Sequence, residues 1–132
     1  MTTPDSTDQV VPQALNEERR QEPRIAVNWR AAIMFKAAKG PLRVFGYVRD
    51  ISLSGMRVEC DQTIATTQPV HIMIEIPSKD PQYETDVIQV HAIIRNSILS
   101  QNMYRMGLQI TDFVGDAKLV IMRRIQRRNS QS

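Results

Sequence analysis

The stretch "IAVNWRAAIMF", Ile25 to Phe35, places Ile25, Val27, Trp29, Ala31, Ile33 and Phe35 at every second position. Side chains of an extended chain point alternately to opposite faces, so this spacing predicts a strand with one face in a core. Downstream, "KAAKGP" (Lys36 to Pro41) supplies turn chemistry before "LRVFGYVRDI", a second strand in which Gly46 reads as the mark of a bulge. "GMRVECD" alternates Met56, Val58 and Cys60 against Arg57, Glu59 and Asp61, and "PVHIMIEIP" sets Val70, Ile72, Ile74 and Ile76 on one face. After the polar, proline-bounded "PSKDPQYETD", two more runs follow, "VIQVHAIIRNSIL" and "MYRMGLQI", the second with Tyr104, Met106, Leu108 and Ile110 inward. The short "SQN" between them suits a hairpin.

The period changes only at the end. "GDAKLVIMRRIQRR" puts Ala117, Val120, Ile121 and Ile125 at helical spacing, with Asp116 near the start and Arg123, Arg124, Arg127 and Arg128 toward the finish, charges placed to suit the helix dipole. Six alternating strands and one amphipathic helix predict an all-β fold with one C-terminal helix, either a small antiparallel barrel or a sandwich. Residues 1–18 are polar, contain Pro4 and Pro12 and lack sustained periodicity, and are expected to form a disordered tail.

The chain has 132 residues, enough for one core. A hydrophobic share of 42% with 23% charged residues is that of an ordinary globule. The lone Cys60 can form no internal disulfide, and the start "MTTPDSTDQVVPQ" has neither a basic nor a long apolar segment, which together point to a cytoplasmic protein not inserted in a membrane. Charge is unevenly spread: residues 1–18 carry Asp5, Asp8, Glu17 and Glu18 and no Lys or Arg, so all 17 basic residues lie from Arg19 onward, against the remaining ten acids. The folded part therefore favours anionic partners.

Two motifs carry the chemistry. In "RRQEPR", Pro23 steers Glu22 out of the helical region, so Arg20 and Arg24 belong on an extended segment that spans roughly 13 Å and can grip different sides of one ligand. "RDISLSG" reads as a loop between two strands, generous for a plain hairpin. Asp50 supplies a carboxylate that can accept donors from a guanine edge, Ser52 a small hydroxyl, and Gly55 room for backbone N–H groups to approach a ligand.

In this order, the pair RxxxR (Arg20, Arg24) and DxSxxG (Asp50, Ser52, Gly55) resembles the signature of the PilZ domain family, bacterial receptors for cyclic di-GMP. "YRMGLQI" is similar to the family's penultimate strand pattern, and the likeness runs from Arg19 to Arg128. The resemblance implies a six-stranded antiparallel barrel with a C-terminal helix, divided here into a ligand clamp (19–24), a barrel (25–111) and a helix (116–128), with 129–132 as a tail. It implies that Arg20 and Arg24 contact guanine edges and phosphate while Asp50 and Ser52 bind a guanine from the barrel surface. Arginine suits this work because its fork matches guanine N7 and O6, and its plane stacks on purines. Arg19, just before the pair, implies a stacked pair of ligand molecules, whose added charge a third guanidinium offsets.

The reading that follows is a cyclic di-GMP receptor that orders its arginine segment on binding and signals to a partner protein. It is not an enzyme and needs no cofactor or metal. No HExxH, Cys pair or GxxxxGK loop occurs, and His71 and His91 alternate with core positions and so face solvent. The rival function is an OB-type barrel binding single-stranded nucleic acid, which ordinarily relies on exposed aromatic platforms; aromatics make up only 5% here and several have inward parity. A PilZ-like domain used purely for protein docking is a third reading, which degenerate motif positions would favour. The arginines of the helix read either as ordinary exposed charges well placed for the dipole or as a docking site for an acidic partner or a membrane surface.

Overall fold

The computed structural model describes residues 22–78 and 85–131, with side chains as far as Arg128. The expected 1–18 tail, Arg19 and Arg20 lie outside the described residues. Among the described residues, six strands are followed by one helix: β1 (Ile25–Ala37), β2 (Gly40–Ile51), β3 (Gly55–Cys60), β4 (Val70–Ile76), β5 (Asp86–Ser100), β6 (Met103–Phe113) and α1 (Ala117–Gln131). The strands close into an antiparallel barrel in the order β1-β2-β3-β6-β5-β4. Of barrel and sandwich, the barrel is adopted, and closure leaves each strand paired on both sides along part of its length.

The alternation seen in the sequence is what fills the barrel. Ile33, Val48, Val58, Ile72, Ile74, Val90 and Met106 are fully buried, and Ile64, in the connection from β3 to β4, joins the same core. The helix adds Ala117, Ile121 and Ile125, spaced four apart on one face, to this cluster. Its start is set locally. Gly115 takes a positive φ of 58°, and Asp116 accepts the first helical bond, from the Val120 N–H at 3.0 Å. Its end runs to Gln131, into the segment read from the sequence as a tail.

Hairpin chemistry follows the turn residues. β5 and β6 meet at Ser100 and Met103, and the two residues between, Gln101 and Asn102, have φ of 53° and 69°, the signature of a type I′ turn. Gly46 departs from its expected role. It pairs regularly with Ala31 and Cys60, and a Cβ there would lie 2.4 Å from the Glu59 carbonyl oxygen, so close strand approach, not a bulge, demands glycine.

The bulges fall elsewhere, and one of them makes the site. Between Val48 and Asp50, β2 advances two residues while β3 advances only from Val58 to Arg57, so Arg49 is the extra residue. Val48 is fully buried, and in an unbroken strand Asp50, two residues on, would share its face. The bulge changes the phase: Ile51 becomes the buried residue and Asp50 is carried to the barrel's outer side.

Candidate ligand-binding site

β2 continues through Asp50 and Ile51, so the connection to β3 is only Ser52–Ser54, shorter than the loop expected from the sequence. Ser52 staples it. Its backbone N–H donates to the Gly55 carbonyl at 2.8 Å, and its side chain, with the residue only 1% exposed, accepts from the Ser54 and Gly55 N–H groups at 3.3 and 3.2 Å. The hydroxyl also donates to the Gly55 carbonyl at 3.3 Å. Ser54 in turn accepts, through its carbonyl, the Ile110 N–H of β6 at 2.8 Å. Ser52 therefore shapes the loop from inside and does not present its hydroxyl to solvent.

Gly55 is needed for a reason beyond ligand access. A Cβ at this position would lie 2.8 Å from the Leu108 carbonyl oxygen of β6. Substitution would push two paired strands apart.

Asp50 stands on this rigid base. One carboxylate oxygen, Oδ2, lies 3.5 Å from a guanidinium nitrogen of Arg57; the other, Oδ1, lies 3.7 Å from Nε of Arg24. Both distances exceed the 2.7–2.9 Å of a tight charge-assisted hydrogen bond. Oδ1 is buried and has no hydrogen-bond partner. Such an acceptor carries a desolvation cost of about 1–3 kcal/mol until a donor reaches it.

The two sequence motifs meet here. Arg24 approaches Asp50, and Glu22, two residues earlier, accepts a hydrogen bond from the Ser54 hydroxyl. The described end of the arginine segment thus lies against the loop of the second motif, with the Arg24 side chain 54% exposed. Of the six residues singled out from the sequence, Arg24, Asp50, Ser52 and Gly55 come together, and Arg19 and Arg20 lie outside the described residues.

Arg57 was not among those six. It is the cross-strand partner of Asp50, and its own partner on β6 is Gly107, over which the Asn96 side chain of β5 folds. Asn96 accepts the Gly107 N–H at 3.1 Å. The signal for Arg57 was its outward parity in "GMRVECD", which gains meaning only once the register is known.

A second ion network borders the site. Glu59 accepts from Arg49 Nε at 2.9 Å and lies 2.8 Å from Arg105 Nε. The Arg49 hydrogen bond holds Glu59 below the ordinary carboxylate value; burial opposes this, and the charges of Arg49 and Arg105 reinforce it. Arg49 also donates to the Asn28 side chain and lies 5.3 Å from the centre of the Tyr47 ring.

Other candidates are less provided for. The His71 and His91 rings meet at a tilt, centroids 4.8 Å apart, with His71 2.6 Å from the Gln89 side chain and His91 3.8 Å from Asp112. Among the described residues, no three His, Cys, Asp or Glu side chains are placed to hold a metal. Among the aromatics, Trp29 is buried, whereas Phe45 is 66% exposed and Tyr47 half-exposed on the outside of β2. No helix among the described residues is long and apolar enough to cross a membrane.

The fold is similar to that of the inhibitor of motility MotI/DgrA of Bacillus subtilis (TM-score 0.66, 17% identity, 86% of this chain and 53% of that one). It is also similar to the PilZ domain of YcgR from Escherichia coli, solved with c-di-GMP (TM-score 0.55, 15% identity, 86% and 93%). The K. pneumonia MrkH–c-di-GMP complex gives a TM-score of 0.57 at 14% identity, with 86% and 53% of the two chains covered. The chain thus spans about half the length of MotI and of MrkH. No curated protein sequence matches it. The model of the PilZ domain matches residues 18–127, which take in both motifs and the whole barrel, and the chain belongs to the PilZ domain family.

Proposed function

We propose that this chain is a receptor for cyclic di-GMP, binding it between the arginine segment 19–24 and the outer face of the barrel at Asp50. The observation that carries the reading is Asp50 Oδ1, a buried carboxylate oxygen without a hydrogen-bond partner, flanked by two loosely held guanidiniums. A guanine edge offers N–H donors to such an oxygen, and its N7 and O6 accept from an arginine fork. Arg20 and Arg24 supply forks for guanine and phosphate, and Arg19 offsets the charge of a second, stacked ligand molecule. Ser52 acts by holding the loop and Gly55 by letting β3 lie close to β6; neither needs to touch the ligand.

The signal is an order transition. Segment 19–24 closes over the ligand, and the closed segment presents or hides a surface for a partner protein in the cytoplasm. Two neighbours solved with c-di-GMP, one of them a PilZ domain, support the ligand class.

Hydrogen bonds to charged groups are worth roughly 1.5–3 kcal/mol, and tenfold in affinity is about 1.4 kcal/mol. Arg24→Ala should therefore weaken calorimetrically measured cyclic di-GMP binding by about tenfold to a hundredfold while leaving the melting temperature nearly unchanged. Equal affinities would discard the clamp. The exposed Phe45 and Tyr47 keep one rival in play, single-strand binding on the outer face of β2. An excess of single-stranded oligonucleotide should fail to displace cyclic di-GMP from a dedicated site.

A further inference from the structure

The arginine-rich end of α1 lines one side of a cavity that opens to solvent. Where the helix closes the barrel, a space of about 260 Å3 lies between Arg124, Arg127 and Arg128 on one side and Ile25, Val27 and Trp29 on the other. Arg124 is fixed there, donating to the Pro77 carbonyl at 2.9 Å, while Arg127 and Arg128 are exposed and free to reorient. The three are spaced i, i+3 and i+4, so their like charges crowd one helical face, an arrangement that costs helix stability. Burial and the neighbouring Arg127 charge both lower the Arg124 pKa, and Asp86 opposes this. The described part of the site is thus short of negative charge.

The walls are chemically unlike each other. Guanidiniums match phosphate oxygens in a fork, whereas the opposite wall is a half-buried Val27 beside Asn28, with the edges of the buried Ile25 and Trp29, and a bare inorganic ion would leave that apolar surface uncovered. The volume lies below the roughly 300–1,000 Å3 of sites that enclose drug-sized ligands. It suits one head group, not a whole cyclic dinucleotide.

We propose that this cavity is a second anion-binding site, distinct from the Asp50 face, and that it takes a phosphate ester carried on a small apolar body. The phosphate would sit between Arg127 and Arg128 with Arg124 behind it, and the organic part against Val27 and Trp29.

Trp29 is the chain's only tryptophan, so its emission reports on the cavity directly. The full chain is titrated with phenyl phosphate, with inorganic phosphate as the control. A saturable change in Trp29 emission is expected, at least about tenfold weaker for inorganic phosphate. The double variant Arg127→Ala/Arg128→Ala should lose most of the response at unchanged melting temperature, whereas Arg24→Ala should retain it, which separates this site from the cyclic di-GMP reading. No saturable response, an equal response in the double variant, or equal binding of inorganic phosphate each overturns the proposal. Vesicles of phosphatidylcholine with phosphatidylglycerol identify the source: displacement of phenyl phosphate assigns the ester to a lipid head group, and continued binding in their presence assigns it to a soluble metabolite.

Discussion

Two carboxylates on the outer face of neighbouring strands, Asp50 on β2 and Glu59 on β3, each lie between two arginines, yet they are in different states. Glu59 is saturated, with guanidinium nitrogens at 2.9 and 2.8 Å from its two oxygens. Asp50 keeps its arginines at 3.5 and 3.7 Å and has a buried oxygen with no hydrogen bond. The same residue chemistry thus gives a structural tie in one place and an incomplete site in the other. The distinction lies in satisfaction, not in the count of charges nearby.

The largest expected effect breaks that pairing from the Asp50 side. Asp50→Ala should weaken cyclic di-GMP binding by about tenfold to a hundredfold, from the roughly 1.5–3 kcal/mol of a charged hydrogen bond, and leave unfolding by urea nearly unchanged. A large fall in stability would mean that Asp50 is a structural tie like Glu59.

Next comes the base on which Asp50 stands. Ser52→Ala removes a buried hydroxyl that satisfies two backbone N–H groups, and should lower stability by about 1–3 kcal/mol, read from urea denaturation. Affinity should fall as well, because the loop loses its shape. Loss of affinity at full stability would instead argue that the hydroxyl contacts the ligand.

The converse variant, Glu59→Ala, should cost about 1 kcal/mol, since its arginines are half-exposed and surface ion pairs contribute little singly. Cyclic di-GMP affinity should stay within a factor of about two, a change of roughly 0.4 kcal/mol.

The smallest effect is on pH. Glu59 titrates below its ordinary value of 4.5 in the folded chain, so its stabilising contribution is present above pH 4.5 and is lost as pH falls through the folded value. Melting temperatures of wild type and Glu59→Gln should therefore converge below pH 4.5. Curves that stay parallel to lower pH would show that Glu59 is not held by its arginines.

Much of this is legible in the sequence. The alternation from Ile25 to Phe35 is a direct consequence of strand geometry, and the RxxxR and DxSxxG motifs lie close enough in pattern to a family signature to bring Arg24 and Asp50 together on paper. Other features depend on neighbours that linear reading does not see. Gly46 looked like a bulge because bulges and close strand contacts both favour glycine, while the bulge that matters sits at Arg49, which carries no local mark. The hydroxyl of Ser52 belongs to a binding motif, yet only the loop's own hydrogen bonds reveal that it points inward. Arg57 enters through strand register, which pairs it with Asp50 across β2 and β3. The basic run at the end of α1 reads from the sequence as dipole-favourable surface charge or a docking face, and only the packing of the helix puts a cavity beside it.

The most direct test is a side-by-side calorimetric titration of cyclic di-GMP into wild type, Asp50→Ala and Glu59→Ala. The account predicts saturable heat for wild type and Glu59→Ala at matching affinity, and binding at least about tenfold weaker for Asp50→Ala, a loss of about 1.4 kcal/mol or more. No heat from wild type, or equal binding by Asp50→Ala, would contradict it.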